Sequence, residues 1–173
     1  MKRVGMLAVA ALAASAGVAL VTTGGSAQPP PGKGQERTIV LVERNNVGTF
    51  KFVDNPPRHG VNRRGEPRRL SLGDEFLGAS PLYNAANTSR SGTFYFHCTV
   101  VVARRTFPRS RFLCEGELRL ADGTMTAHGS FRGSDNPVVV AVTGGTGNYE
   151  GASGTLTTAD QGNTTTDTVH LVR

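Results

Sequence analysis

Beyond residue 36 the apolar positions of the chain fall in short alternating runs, and no stretch repeats them at the 3.6-residue spacing of a helix. The runs cover 37–44, 74–83, 92–102, 111–120, 124–131, 138–142, 154–158 and 164–172. Gly, Asn, Asp and Pro punctuate them, the pattern of an all-β sandwich or barrel. Eight strands is a number at which an antiparallel sheet closes on itself and encloses one small ligand. An eight-stranded antiparallel β-barrel with an apolar lumen is one of the two folds this pattern permits, a sandwich the other. Residues 58–69 are polar and basic, have Pro56, Pro57 and Pro67 around them, and read as a loop.

Side-chain alternation assigns faces. In 92–102, Phe94, Phe96, Cys98, Val100 and Val102 share one face, and Thr93, Tyr95, His97 and Thr99 the other. Phe112, Cys114 and Leu118 form the apolar face of the next run; Met125, Ala127 and Phe131 form that of the run after it. Together they describe a lumen of Phe, Met, Val and a cystine, suited to a small hydrophobic molecule. The competing reading is that these side chains fill the barrel. A cavity of roughly 300 Å³ or more would favour the ligand.

The stretch 138–154, VVVAVTGGTGNYEGASG, organises the rest. A β-branched strand over 138–142 leads into Gly144-Gly145-Thr146-Gly147, which reads as a tight turn at a barrel corner. Gly151 and Gly154 then fall in the returning strand. Asp122-Gly123 is a second, hairpin-type turn signal.

Residues 1–27 read as a secretory signal peptide: Lys2 and Arg3, an Ala-rich apolar core, and small residues at Gly25-Ser26-Ala27. A Pro/Gly linker, 28–35, follows, and 36–173 forms the domain. No other stretch is apolar enough for a stable membrane span. Export predicts an extracellular, oxidising location. A hairpin about Thr106 would set Cys98 opposite Cys114, so a disulfide is expected, contributing roughly 3 kcal/mol. Two cysteines without a matching His/Cys pair do not make a metal site.

The formal charge of +6 is mildly basic, and Arg58, Arg63, Arg64, Arg68 and Arg69 crowd one loop. That cluster reads as a solvated surface in preference to a site for an anionic surface or polymer. No aromatics interleave with it, which argues against a nucleic-acid platform. No catalytic signature stands out: the Gly-rich segment has no serine and no Lys-Ser/Thr ending, and His59, His97, His128 and His170 are scattered.

The segments 71–74, 81–84, Phe96-His97-Cys98-Thr99-Val100, 122–129 and 141–154, in that order, resemble the allene oxide cyclase and dirigent family of barrels. AVTGGTGNYEGASG is similar to the family's most distinctive motif, and the likeness covers about residues 36–173. It implies an eight-stranded barrel working without metal or organic cofactor on a small hydrophobic ligand, in a homo-oligomer, since the plant members are trimers. Plant members cyclise an allene oxide or steer radical coupling. Bacterial barrels of similar shape include spirotetronate-forming cyclases.

The residue-by-residue correspondence puts the plant lumen glutamate at Val40, a turn proline at Thr49, a water-holding asparagine at Ser80 and a lumen cysteine at Cys98. Val40, Ser80, Phe94, Phe96, Cys98, Phe112, Met125 and Ala127 are thus the expected lumen residues. Glu43, three positions beyond Val40, is expected on the opposite face. With valine where the carboxylate belongs, a carboxylate-dependent reaction is not expected. Cavity shape alone would then steer the cyclisation or isomerisation, and the rivals are a non-catalytic binding barrel and a structural one.

Overall fold

The computed structural model describes residues 36–172, so the expected signal segment and linker lie outside the described residues. Nine strands and no α-helix make up the described chain: β1 (Arg37–Arg44), β2 (Thr49–Val53), β3 (Glu75–Asn84), β4 (Arg90–Val102), β5 (Arg111–Leu120), β6 (Gly123–Arg132), β7 (Val138–Gly147), β8 (Ser153–Asp160) and β9 (Thr164–Val172). A single 3₁₀ turn, Phe107–Arg109, sits between β4 and β5. Each strand pairs antiparallel with its successor from β3 to β9; β9 pairs with β1, and β1 closes the ring on β3. Those eight strands form the barrel.

β2 is the strand the sequence reading did not separate. Its five residues, TFKFV, carry a period-two alternation but follow the polar turn 45–48. β1 uses the far part of β3, pairing Leu41–Glu43 with Leu82–Asn84, and β2 uses the near part, pairing Thr49–Val53 with Glu75–Ala79. β1 and β2 are two pieces of one seam, and among the described residues β2 has no strand partner but β3.

The Gly-rich segment also differs from expectation. Gly144 to Gly147 belong to β7, and the turn is the next stretch, 148–152. Where Thr126 pairs with Gly144 and Ala127 with Val142, Thr143 is left over as a bulge. The glycines are there for close approach. A Cβ on Gly145 would lie 2.5 Å from the carbonyl oxygens of Thr124 and Tyr149. Tyr149, buried at this end, donates its hydroxyl to Asp122 Oδ1 at 2.9 Å and ties the turn to the β5–β6 hairpin.

Register carries the inner face around the ring. Cys98 pairs with Cys114, Phe94 with Leu118, Leu118 with Met125, and Leu156 with Val169. The interior divides into two clusters. An aliphatic one holds Leu41, Leu82, Leu118, Met125, Val169 and Leu171; an aromatic one holds Phe76, Val100, Phe112 and Cys98. The Cys98–Cys114 disulfide is formed across neighbouring strands. All eight phenylalanines link into one network of rings with centroid separations of 4.8 to 6.5 Å.

Candidate functional site

Between the two clusters a cavity of about 190 Å³ remains inside the barrel. Its wall is almost wholly apolar: Phe94, Phe96, the Cys98–Cys114 bridge, Ala127, Phe131, Val138, Val140 and Leu156. The volume is below the roughly 300 Å³ at which ligand pockets begin. Much of the lumen is thus filled by side chains, and the space left suits only a small molecule. Gly78 and Gly116 make room for the rings: a Cβ at Gly116 would come within 2.6 Å of the Phe94 ring, and one at Gly78 would overlap the Phe96 ring.

The expected lumen residues separate into three groups. Phe94, Phe96, Cys98 and Ala127 line the cavity. Phe112 and Met125 are fully buried in the aromatic and aliphatic clusters respectively, and Ser80 is buried opposite Phe94 without lining the space. Val40 is a correction. It is 37% exposed on the outer face, while its neighbour Leu41 is buried and pairs with Asp167. Four consecutive apolar residues, Ile39 to Val42, conceal the alternation, so the family correspondence put the wrong face inside.

Correcting that face brings Glu43 inward. It is 7% exposed and pairs with Leu82, a core residue of β3. Diagonally across β1 and β9 lies Asp167, fully buried. The interior therefore contains two carboxyl groups, and no Lys or Arg is paired with either among the described residues. Thr158 donates its hydroxyl to Asp167 Oδ1 at 2.8 Å, whereas Oδ2 is buried with no hydrogen-bond donor in place.

Burial, reinforced by the like charge of Glu43, pushes the Asp167 carboxyl up to about 8; the Thr158 bond opposes this only in part. Burial and the like charge both favour the protonated acid at Asp167 over the carboxylate. Thr158 also lines the cavity and is the hydroxyl through which the acid meets that space. Sequence reasoning missed the pair because Asp167 sits in a polar run, TTTDT, with nothing to mark it as internal.

A second group lies on the outer wall. His97 approaches Glu115 at 3.3 Å and Glu75 at 3.6 Å, and Glu115 pairs in register with His128. Among the described residues no His, Cys, Asp and Glu cluster has the geometry to hold a metal ion.

No protein-family model and no curated protein matches the chain. Solved structures do. A pyocyanin demethylase shares 21% identity at a TM-score of 0.60, covering 78% of this chain and 99% of that one. A pterocarpan synthase dirigent protein shares 13% at 0.60, covering 82% and 86%. The Diels-Alderase AbmU from Streptomyces koyangensis shares 16% at 0.54, covering 83% and 70%. At these identities the likeness is one of fold, and the fold is that of dirigent-like and cyclase barrels.

Proposed function

We propose that the barrel binds a small, largely apolar molecule in its central cavity and steers its cyclisation or isomerisation, with Thr158, Asp167 and Glu43 managing the proton. The observation that carries this reading is the buried carboxyl pair, one hydroxyl away from an otherwise apolar cavity. Two acids inside a barrel cost several kcal/mol unless neutralised or paired. Perturbed acids beside a cavity are the usual signature of a reactive site. The dirigent and Diels-Alderase barrels of the same fold support steering of cyclisation as the reaction type.

The chemistry follows from the geometry. The apolar wall selects one folded conformer of the ligand, which alone lowers a barrier by several kcal/mol. Where the reaction moves a proton, the Thr158 hydroxyl passes its own to the ligand as the Asp167 acid replaces it. A second atom of the ligand then returns a proton by the same route to Asp167. No proton is gained or lost overall, as an isomerisation requires. The protein works after export, the Cys98–Cys114 bridge being consistent with an oxidising compartment.

Two probes test the reading. Naphthalene should shift the methyl resonances of Ala127 and Leu156, and Ala127→Phe should abolish the shift. No shift in the unaltered protein would leave a structural barrel with a packed interior. 2-Cyclohexenone dissolved in D₂O should exchange its acidic C–H protons faster with protein present. Thr158→Val and Asp167→Asn should slow that exchange while leaving naphthalene binding intact. Equal exchange in all three proteins would reduce the function to binding.

A further inference from the structure

The two ends of the barrel differ in charge. At the far end, the turns 85–89, 121–122 and 148–152 carry two carboxylates, Asp122 and Glu150, balanced by Arg37 and Arg90 at the strand ends beside them. At the other end, the loops 54–74 and 103–110 carry eight arginines against three carboxylates. All three acids are committed to their own loop: Asp54 accepts from the His59 and Gly60 N–H groups, Glu66 from the Asn62 amide, and Asp74 from Ser71 and Asn55. Asp135, in the neighbouring loop, accepts the Arg132 N–H. The eight guanidinium groups are exposed, and none is in an ion pair among the described residues.

The same end also presents apolar side chains. Leu72 is 67% exposed in the first of these loops, where Val61 is exposed too, and Phe107 is exposed in the second. Phe107 is held rigidly, its ring 4.8 Å from Phe112 and 5.9 Å from Phe76. The loops are anchored too: Gly73 N–H bonds Val100 O, and Gly133 N–H bonds Ser110 O. Read alone, the 58–69 arginines look merely solvated. With a second arginine loop and fixed apolar groups at one end, they form a surface.

We propose that this end docks on a bilayer bearing anionic headgroups, arginines against the phosphates and Phe107 and Leu72 in the headgroup layer. A cationic rim around exposed apolar groups is the chemistry of an interfacial anchor. A free polyanion would engage the arginines but leave the apolar groups in water. No described helix is long and apolar enough to cross a membrane. The docking surface stands independently of the lumen reading.

The chain has no tryptophan, so Phe107→Trp in the full-length protein is a unique reporter. Phosphatidylglycerol vesicles should shift its emission to the blue, and brominated acyl chains should quench it. Phosphatidylcholine vesicles should do neither, and Val172→Trp at the far end should not respond. Reversing Arg63, Arg64, Arg104 and Arg105 to Glu should weaken vesicle affinity by roughly 1,000-fold or more. Raising NaCl from about 50 to about 500 mM should weaken it without any substitution, which keeps the test valid if that variant misfolds. An unshifted Phe107→Trp, an equal response to both lipids, or binding of heparin without burial of the tryptophan would overturn the proposal.

Discussion

The aliphatic and aromatic halves of the interior are built from the same antiparallel ladder, yet they seal differently. In the aliphatic half, Leu82, Leu118, Met125 and Val169 are fully buried, and Tyr149 caps them through the 148–152 turn. In the aromatic half, Phe112 is buried, but Phe50 sits on the inner side of β2, opposite Gly78, and is still largely exposed. The first half is closed and the second has a mouth. The cavity lies between the two halves, the acid pair adjoins the aliphatic one through Leu41 and Leu82, and the unsealed seam belongs to the aromatic one.

The comparison breaks most severely at the Gly-rich corner. Gly145→Val drives a branched side chain into the Thr124 and Tyr149 carbonyls, so backbone must move. A loss beyond about 4 kcal/mol, or failure to fold, is expected in chemical denaturation, against almost none for Arg64→Ala. Equal midpoints for the two variants would refute the closed-end assignment.

Next comes the pH response of the acid pair. The folded Asp167 carboxyl titrates at about 8, well above its unfolded value, so the native state binds more protons through the interval between them. Stability should then fall as pH rises from about 4 towards 8, by a few kcal/mol. Asp167→Asn should flatten that slope and gain stability at the alkaline side. A slope unchanged by the substitution would place the titration elsewhere.

A smaller effect is expected from the bridge. Replacing Cys98 and Cys114 by Ser should cost roughly 3 kcal/mol, read as a lower melting temperature. The loss should widen the aromatic half and leave the Tyr149 end intact, visible as faster amide exchange in β4 and β5 but not in β7. The least effect belongs to the mouth: Phe50→Ala should cost less than about 1 kcal/mol, because the ring is mostly in water already. A cost like that of a buried phenylalanine would mean that the seam closes in solution.

Where alternation was clean, the sequence could be read to the face. β4 separates Phe94, Phe96 and Cys98 from Tyr95 and His97, and its partner strand repeats the pattern, so the inner wall and the bridge were legible. β1 was not, because Ile39 to Val42 are apolar on both faces, and the family correspondence then chose Val40. The acid pair was illegible for a different reason. Glu43 and Asp167 lie 124 residues apart and meet only through the β1–β9 register, which no local pattern encodes. β2 carried a readable alternation, but it lies between the polar turn 45–48 and the Pro56-Pro57 loop and reads as part of them.

A fully closed barrel has no strand edges, but this one keeps a short one. Among the described residues β2 pairs with β3 alone, so five residues of backbone have one side of their ladder without a strand partner there. Such an edge is a template for another chain, and long, flat, hydrophobic edges lead to aggregation. Here the brevity of the strand and the exposed charge of Lys51 at its centre work against that outcome. Lys51 is thus the charge placed where edge-to-edge pairing with another chain would begin.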